Sequence, residues 1–171
     1  MWGILLFLIP LAVLLLPVLL GVAAPKVSRA ALDIEVDALP AAVWRVLNNP
    51  KTSGASIERV EDGAWIEDLG VARIKVTTLE AKENERLVRE LEDASIPMRA
   101  RWTVELAAVD GKTRIRASNE TEVANGSWRA PLVRFLMRFM SGPRRALVHY
   151  FRRLGGSLGS EVRIEDAPPE A

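Results

Sequence analysis

The chain has 171 residues, a formal net charge of +1, one histidine, one tyrosine and no cysteine. Without cysteine there are no disulfides, no thiolate nucleophile and none of the usual zinc or iron–sulfur sites, and a lone His149 argues against a His-based metal centre. Once a leading apolar run is set aside, the length suits one compact domain rather than two.

Met1 to Ala24 carry no charged side chain. As a helix this run is about 36 Å long, enough to cross a hydrocarbon core of about 30 Å. It reads as a single transmembrane anchor over residues 1–25, ahead of a domain over 26–160. Pro10 and Pro17 are tolerated in membrane helices. A cleaved secretory signal is the alternative, with Val22-Ala23-Ala24 as its cleavage site. Against it stand the missing basic start, an apolar run well beyond about 7–15 residues, and Pro25 just after the site. Lys26 and Arg29 flank only the C-terminal side, so the positive-inside rule predicts a cytoplasmic domain.

Ala31 to Asp37 alternates, with Leu32, Ile34 and Val36 on one side, and predicts a half-buried strand. Pro40 opens a short helix carrying Val43, Trp44 and Leu47, and Asn48-Asn49-Pro50 stops it. Strands follow at 56–61 and 64–68 around Asp62-Gly63, then at 72–80 and 85–93. Another pair, at 101–109 and 112–123, flanks Asp110-Gly111; both Asp-Gly pairs are hairpin turn signals. Trp102, Val104 and Leu106 share one face, and Ile115, Ala117, Asn119, Thr121 and Val123 another. A helical stretch from Leu132 to Leu154 closes the domain, interrupted at Gly142-Pro143 and ended by Gly155-Gly156. The tail, 161–171, is acidic and Pro-rich and reads as disordered. The order of elements predicts an α+β fold, with a sheet that curls around the last helix.

Several polar residues stand out. Asn119 and Thr121 lie on the inward phase of an otherwise apolar strand. A buried polar group costs about 1–3 kcal/mol unless hydrogen-bonded, so the pair either orients a ligand or satisfies neighbouring backbone. Arg89 shares a phase with Leu87 and Leu91; on the concave face it would meet an anionic head group, and with the register shifted by one it is a surface residue. His149 has no acid at helical spacing, and Glu105 and Glu120 sit opposite the apolar faces, so no catalytic set assembles. Seven arginines and no acid occur between Ala124 and Ser160. Such a basic amphipathic helix, through Arg134, Arg138, Arg145 and Arg152, suits an anionic membrane surface better than nucleic acid.

Pro40-Ala41-Ala42-Val43-Trp44 followed by Asn49-Pro50 resembles the opening of the SRPBCC or START-like superfamily, in its polyketide cyclase/dehydrase and lipid-transport branch. Trp102-Thr103-Val104-Glu105-Leu106 with Gly111-Lys112-Thr113-Arg114-Ile115 is similar to that family's hairpin. Pro131 to Phe135, with Phe139-Met140 and Tyr150 to Leu154, looks like its closing helix. The resemblance spans about residues 31–158. It implies a helix-grip fold: a curved sheet of about seven strands wrapped on a long C-terminal helix, with an apolar cavity between them. Placed on this chain, that cavity would be lined by Trp102, Val104, Ile115, Ala117, Asn119, Thr121, Leu136, Phe139, Met140 and Leu147, with Arg89 or His149 at a polar head group. The expected partner is a hydrophobic small molecule or lipid, bound without catalysis, cofactor or metal. A cyclase/dehydrase-like enzyme and an interaction module docking through the Arg-rich helix are the alternatives.

Overall fold

The computed structural model describes residues 15–61, 63–70, 72–93 and 95–167. Residues 15–23 form a helix, α1. Residues 1–14, the larger part of the predicted anchor, lie outside the described residues. Among the described residues no helix is long and apolar enough to cross a membrane.

The domain opens with β1 (Val27–Val36), α2 (Pro40–Leu47) and a 3₁₀ turn (Pro50–Ser53). Pro40 starts α2 where no backbone donor is needed. The Asn49 side chain accepts from the Lys51 amide at 3.1 Å and turns the chain into the sheet. Strands β2 (Ser56–Glu61), β3 (Ala64–Asp68), β4 (Arg73–Lys82), β5 (Arg86–Asp93), β6 (Met98–Val109) and β7 (Lys112–Val123) then follow as a meander. Asp110 and Gly111 both take positive φ, 49° and 79°, as the tight β6–β7 turn requires.

The closing stretch splits rather than kinks. Ser141 adopts a left-handed conformation between α3 (Ala130–Phe139) and α4 (Gly142–Leu158). Helix α4 runs through Gly155-Gly156, the predicted stop, and ends at Gly159, φ 65°. The predicted disordered tail is also corrected over part of its length. Val162–Asp166 form β8, antiparallel to β1 with Ile164 opposite Ile34. Gly155 makes this closure possible, because a Cβ there would lie 2.2 Å from Cγ2 of Val162.

The sheet therefore has eight strands, not seven, in the order β2-β3-β4-β5-β6-β7-β1-β8. Helices α2 and α4 pack on its concave side. Leu147, Phe151 and Leu154 of α4 interlock there with Leu32, Ile34, Val36, Ile115 and Ala117, all at most 1% exposed.

Candidate functional site

Register lines the concave face into rows that cross the sheet. One row runs Leu32, Ala117, Val104, Leu87 and belongs to the packed core. The next runs Ala30, Asn119, Trp102, Arg89, Thr78. Leu87 and Arg89 share a strand phase, so burial of Leu87 against Val104 turns Arg89 inward as well. The surface alternative for Arg89 is thereby excluded.

Arg89 sits among aromatic rings. Its guanidinium carbon lies 4.8 Å from the Trp65 ring centroid, a cation–π arrangement. It also interacts with the Tyr150 hydroxyl of α4. Tyr150 in turn meets Trp102 edge to face, with centroids 5.4 Å apart. The Trp65 indole donates to Oε1 of Glu67 at 3.0 Å. The Nε of Arg89 is shut off from solvent and has no hydrogen-bond partner. Burial lowers the Arg89 pKa from its ordinary value, with Tyr150 and Glu67 opposing the shift. Arg89, Trp102 and Tyr150 are each half-buried.

The other predicted residues separate into three groups. Val104, Ile115, Ala117 and Leu147 lie in the packed core. Asn119 and Thr121 are buried as predicted from their phase. Thr121 donates to Oδ1 of Asn119 at 2.9 Å, and Asn119 donates to the Pro143 carbonyl at 3.5 Å, so both are satisfied within the fold. Leu136, Phe139 and Met140 do not line a cavity: they are 40%, 56% and 46% exposed on the outside of α3. His149 is exposed as well, one residue from the inward Tyr150, and joins neither Arg89 nor Asn119. Arg134 is corrected from surface to interior. It is 6% exposed, its Nε donates to the Val123 carbonyl at 3.0 Å, and its other arm reaches Oδ1 of Asn125. Arg138, Arg145 and Arg152 are exposed.

Trp65 and Tyr150 were missed as site residues. The signal for Tyr150 lay in its helical spacing from Leu147 and Leu154, which put it on the border of the apolar stripe. Among the described residues, no cluster of three or more His, Cys, Asp or Glu is placed to hold a metal ion. An open cleft of about 960 Å³ lies where α3 meets α4, over the half of β1 that β8 does not cover. Its walls include Pro25, Ala30, Asn119, Arg138 and Pro143. It thus reaches one end of the row that holds Trp102 and Arg89.

Neither a family model nor a curated protein sequence matches the chain. Solved structures do. A conserved protein from Geobacillus kaustophilus is similar at TM-score 0.60 and 15% identity, over 80% of this chain and 99% of that one. PFC0360w, an HSP90 activator from Plasmodium falciparum, is similar at TM-score 0.55 and 11% identity, over 81% of this chain and 100% of that one. Ara h 8.0201 is similar at TM-score 0.54 and 15% identity, over 77% and 97%. At these identities the likeness establishes the fold, which is the α+β helix grip that the sequence motifs imply.

Proposed function

We propose that this helix-grip domain binds a hydrophobic small molecule or lipid on its concave face, without catalysis, and works beside a bilayer. The observation that carries the reading is the half-buried Arg89 guanidinium among Trp65, Trp102 and Tyr150. Rings of this kind accept the flat or chain-like body of an apolar ligand. The Nε of Arg89 lacks a partner, and an anionic or carbonyl head group would satisfy it once the surrounding rings part to admit the ligand. The cleft that reaches Asn119 offers a way in from the β1 edge. The uncharged run Met1–Ala24 supplies the tether, and the basic residues Lys26 and Arg29 favour the cytoplasmic side. An enzymatic reading would need His149 inside the grip, and it lies outside.

Extraction of the purified full chain, followed by mass spectrometry, should return an apolar compound. A fluorescent fatty acid, offered as a probe with its uncharged methyl ester, should bind with preference for the acid. Arg89→Met keeps most of the side-chain volume and removes a charged hydrogen bond, which is worth about 1.5–3 kcal/mol. It should weaken the acid roughly tenfold or more and leave the ester nearly unchanged. A domain that extracts empty and binds neither probe would overturn the proposal.

A further inference from the structure

Helix α3 is amphipathic the wrong way round for water. Leu132, Leu136, Phe139 and Met140 recur at helical spacing and form an outward ridge, 40–56% exposed. On the opposite face Arg134 is turned into the protein and tied to the end of β7. Trp128, just before the helix, is 82% exposed. Isolated exposed apolar side chains are ordinary, but a contiguous ridge with a tryptophan at its head marks a surface that meets something else.

Two further observations say what that is. The first is where α1 lies. A Cβ on Gly21 would fall 1.7 Å from the Pro131 carbonyl oxygen, so α1 touches the start of α3 at a point only glycine permits. The outward residues of α1, among them Leu15, Leu19 and Val22, are 48%, 64% and 62% exposed. Residues 15–23 of the uncharged run are thus held against the start of α3 at Gly21. The second is charge. No acid occurs from Ala124 to Ser160, while Arg129 and Arg138 are exposed at the two ends of α3. The Arg129 guanidinium stacks on Trp128 at 5.3 Å.

We propose that α3 is an interfacial helix, lying flat on an anionic phospholipid bilayer with its Leu132–Leu136–Phe139 ridge among the acyl chains and Arg129 and Arg138 at the phosphates. Ten residues make a helix of about 15 Å, too short to span and suited to lie in the interface. The inference is independent of the Arg89 site. It fixes which side of the domain faces the membrane, and brings the cleft at the α3–α4 junction to the lipid surface.

The chain has no native cysteine, so one introduced thiol carries one nitroxide label. The full chain would be labelled at Leu136→Cys or Phe139→Cys, and at Ala108→Cys as a control at the opposite end of β6. Each variant would be placed in phosphatidylcholine vesicles, with or without one quarter phosphatidylglycerol, with circular dichroism checking its fold. With the anionic lipid, labels 136 and 139 should collide with oxygen and be shielded about tenfold from an aqueous nickel chelate, while label 108 stays aqueous. Without it, that shielding should fall severalfold. Labels 136 and 139 that remain aqueous in both vesicles, or are equally immersed in both, would overturn the proposal. Spin–spin coupling between chains would do so too, since a second copy would then be the occupant of the ridge.

Discussion

Arg89 and Tyr150 define the chemistry of the grip at the scale of single residues. A guanidinium loses hydration on a concave sheet face, and the rings of Trp65 and Tyr150 only partly replace it. Tyr150 shows the same environment from the other side. Burial raises its pKa above the ordinary value of about 10, and Arg89 opposes the shift without cancelling it. The phenol is protonated in both folded and unfolded chains below that value. Above it, the unfolded chain loses its proton first, so this contribution to stability is lost as pH rises through the native pKa. Tyr150 is the only tyrosine, and phenolate absorbance reads it alone. The native chain should ionise at higher pH than the urea-unfolded chain, and coincident curves would refute the buried assignment. The alternation of Leu87, Arg89 and Leu91 was legible in the sequence. Which side of the sheet they face was not, because a period of two has no sign until a partner strand supplies it. The pairing of Leu87 with Val104 does so.

Elements were easier to read than their orientation. The Asp110-Gly111 turn stands where its hairpin turns, and the Lys112–Val123 strand begins and ends where its alternation does. Helix α3 shows the limit. Spacing marks a stripe of Leu132, Leu136 and Phe139, but a stripe facing a core and one facing lipid have the same period. The buried Arg134 turns that stripe outward, and it does so through the Val123 carbonyl and the Asn125 side chain on the strand and turn just before the helix. The two adjacent glycines of α4 make a similar point. They were read as a stop, yet they differ in surroundings. A Cβ on Gly155 meets Val162, whereas one on Gly156 meets nothing within 4 Å. Gly155→Ala should cost about 1–3 kcal/mol through overpacking. Gly156→Ala should gain up to about 1 kcal/mol through helix propensity. Thermal melts of the two variants should therefore move in opposite directions; equal shifts would mean that β8 does not press on α4.

The whole molecule is closed by its tail. An acidic, Pro-rich composition concealed β8, where Val162 and Ile164 alternate with charged residues and cover Ile34 and Val36 of β1. The bidentate pair from Arg144 of α4 to Asp166 adds a clasp, though exposed ion pairs contribute little on their own. A chain ending at Ser160 should lose about 2–4 kcal/mol of burial. That corresponds to a melting midpoint lower by roughly 5–15 °C. An unchanged midpoint would mean that the last strand is ornamental.

Because β1 pairs with β7 on one side and β8 on the other, the strand earliest in the sheet's sequence order finds its neighbours only at the far end of the domain. Its ladder waits for nearly the entire domain to be synthesised, and such distant pairings make for slow folding. During that interval an open strand edge directly follows the uncharged run Met1–Ala24. The grip can close only once β8 has been made, and until then β1 lacks at least one of its two ladders.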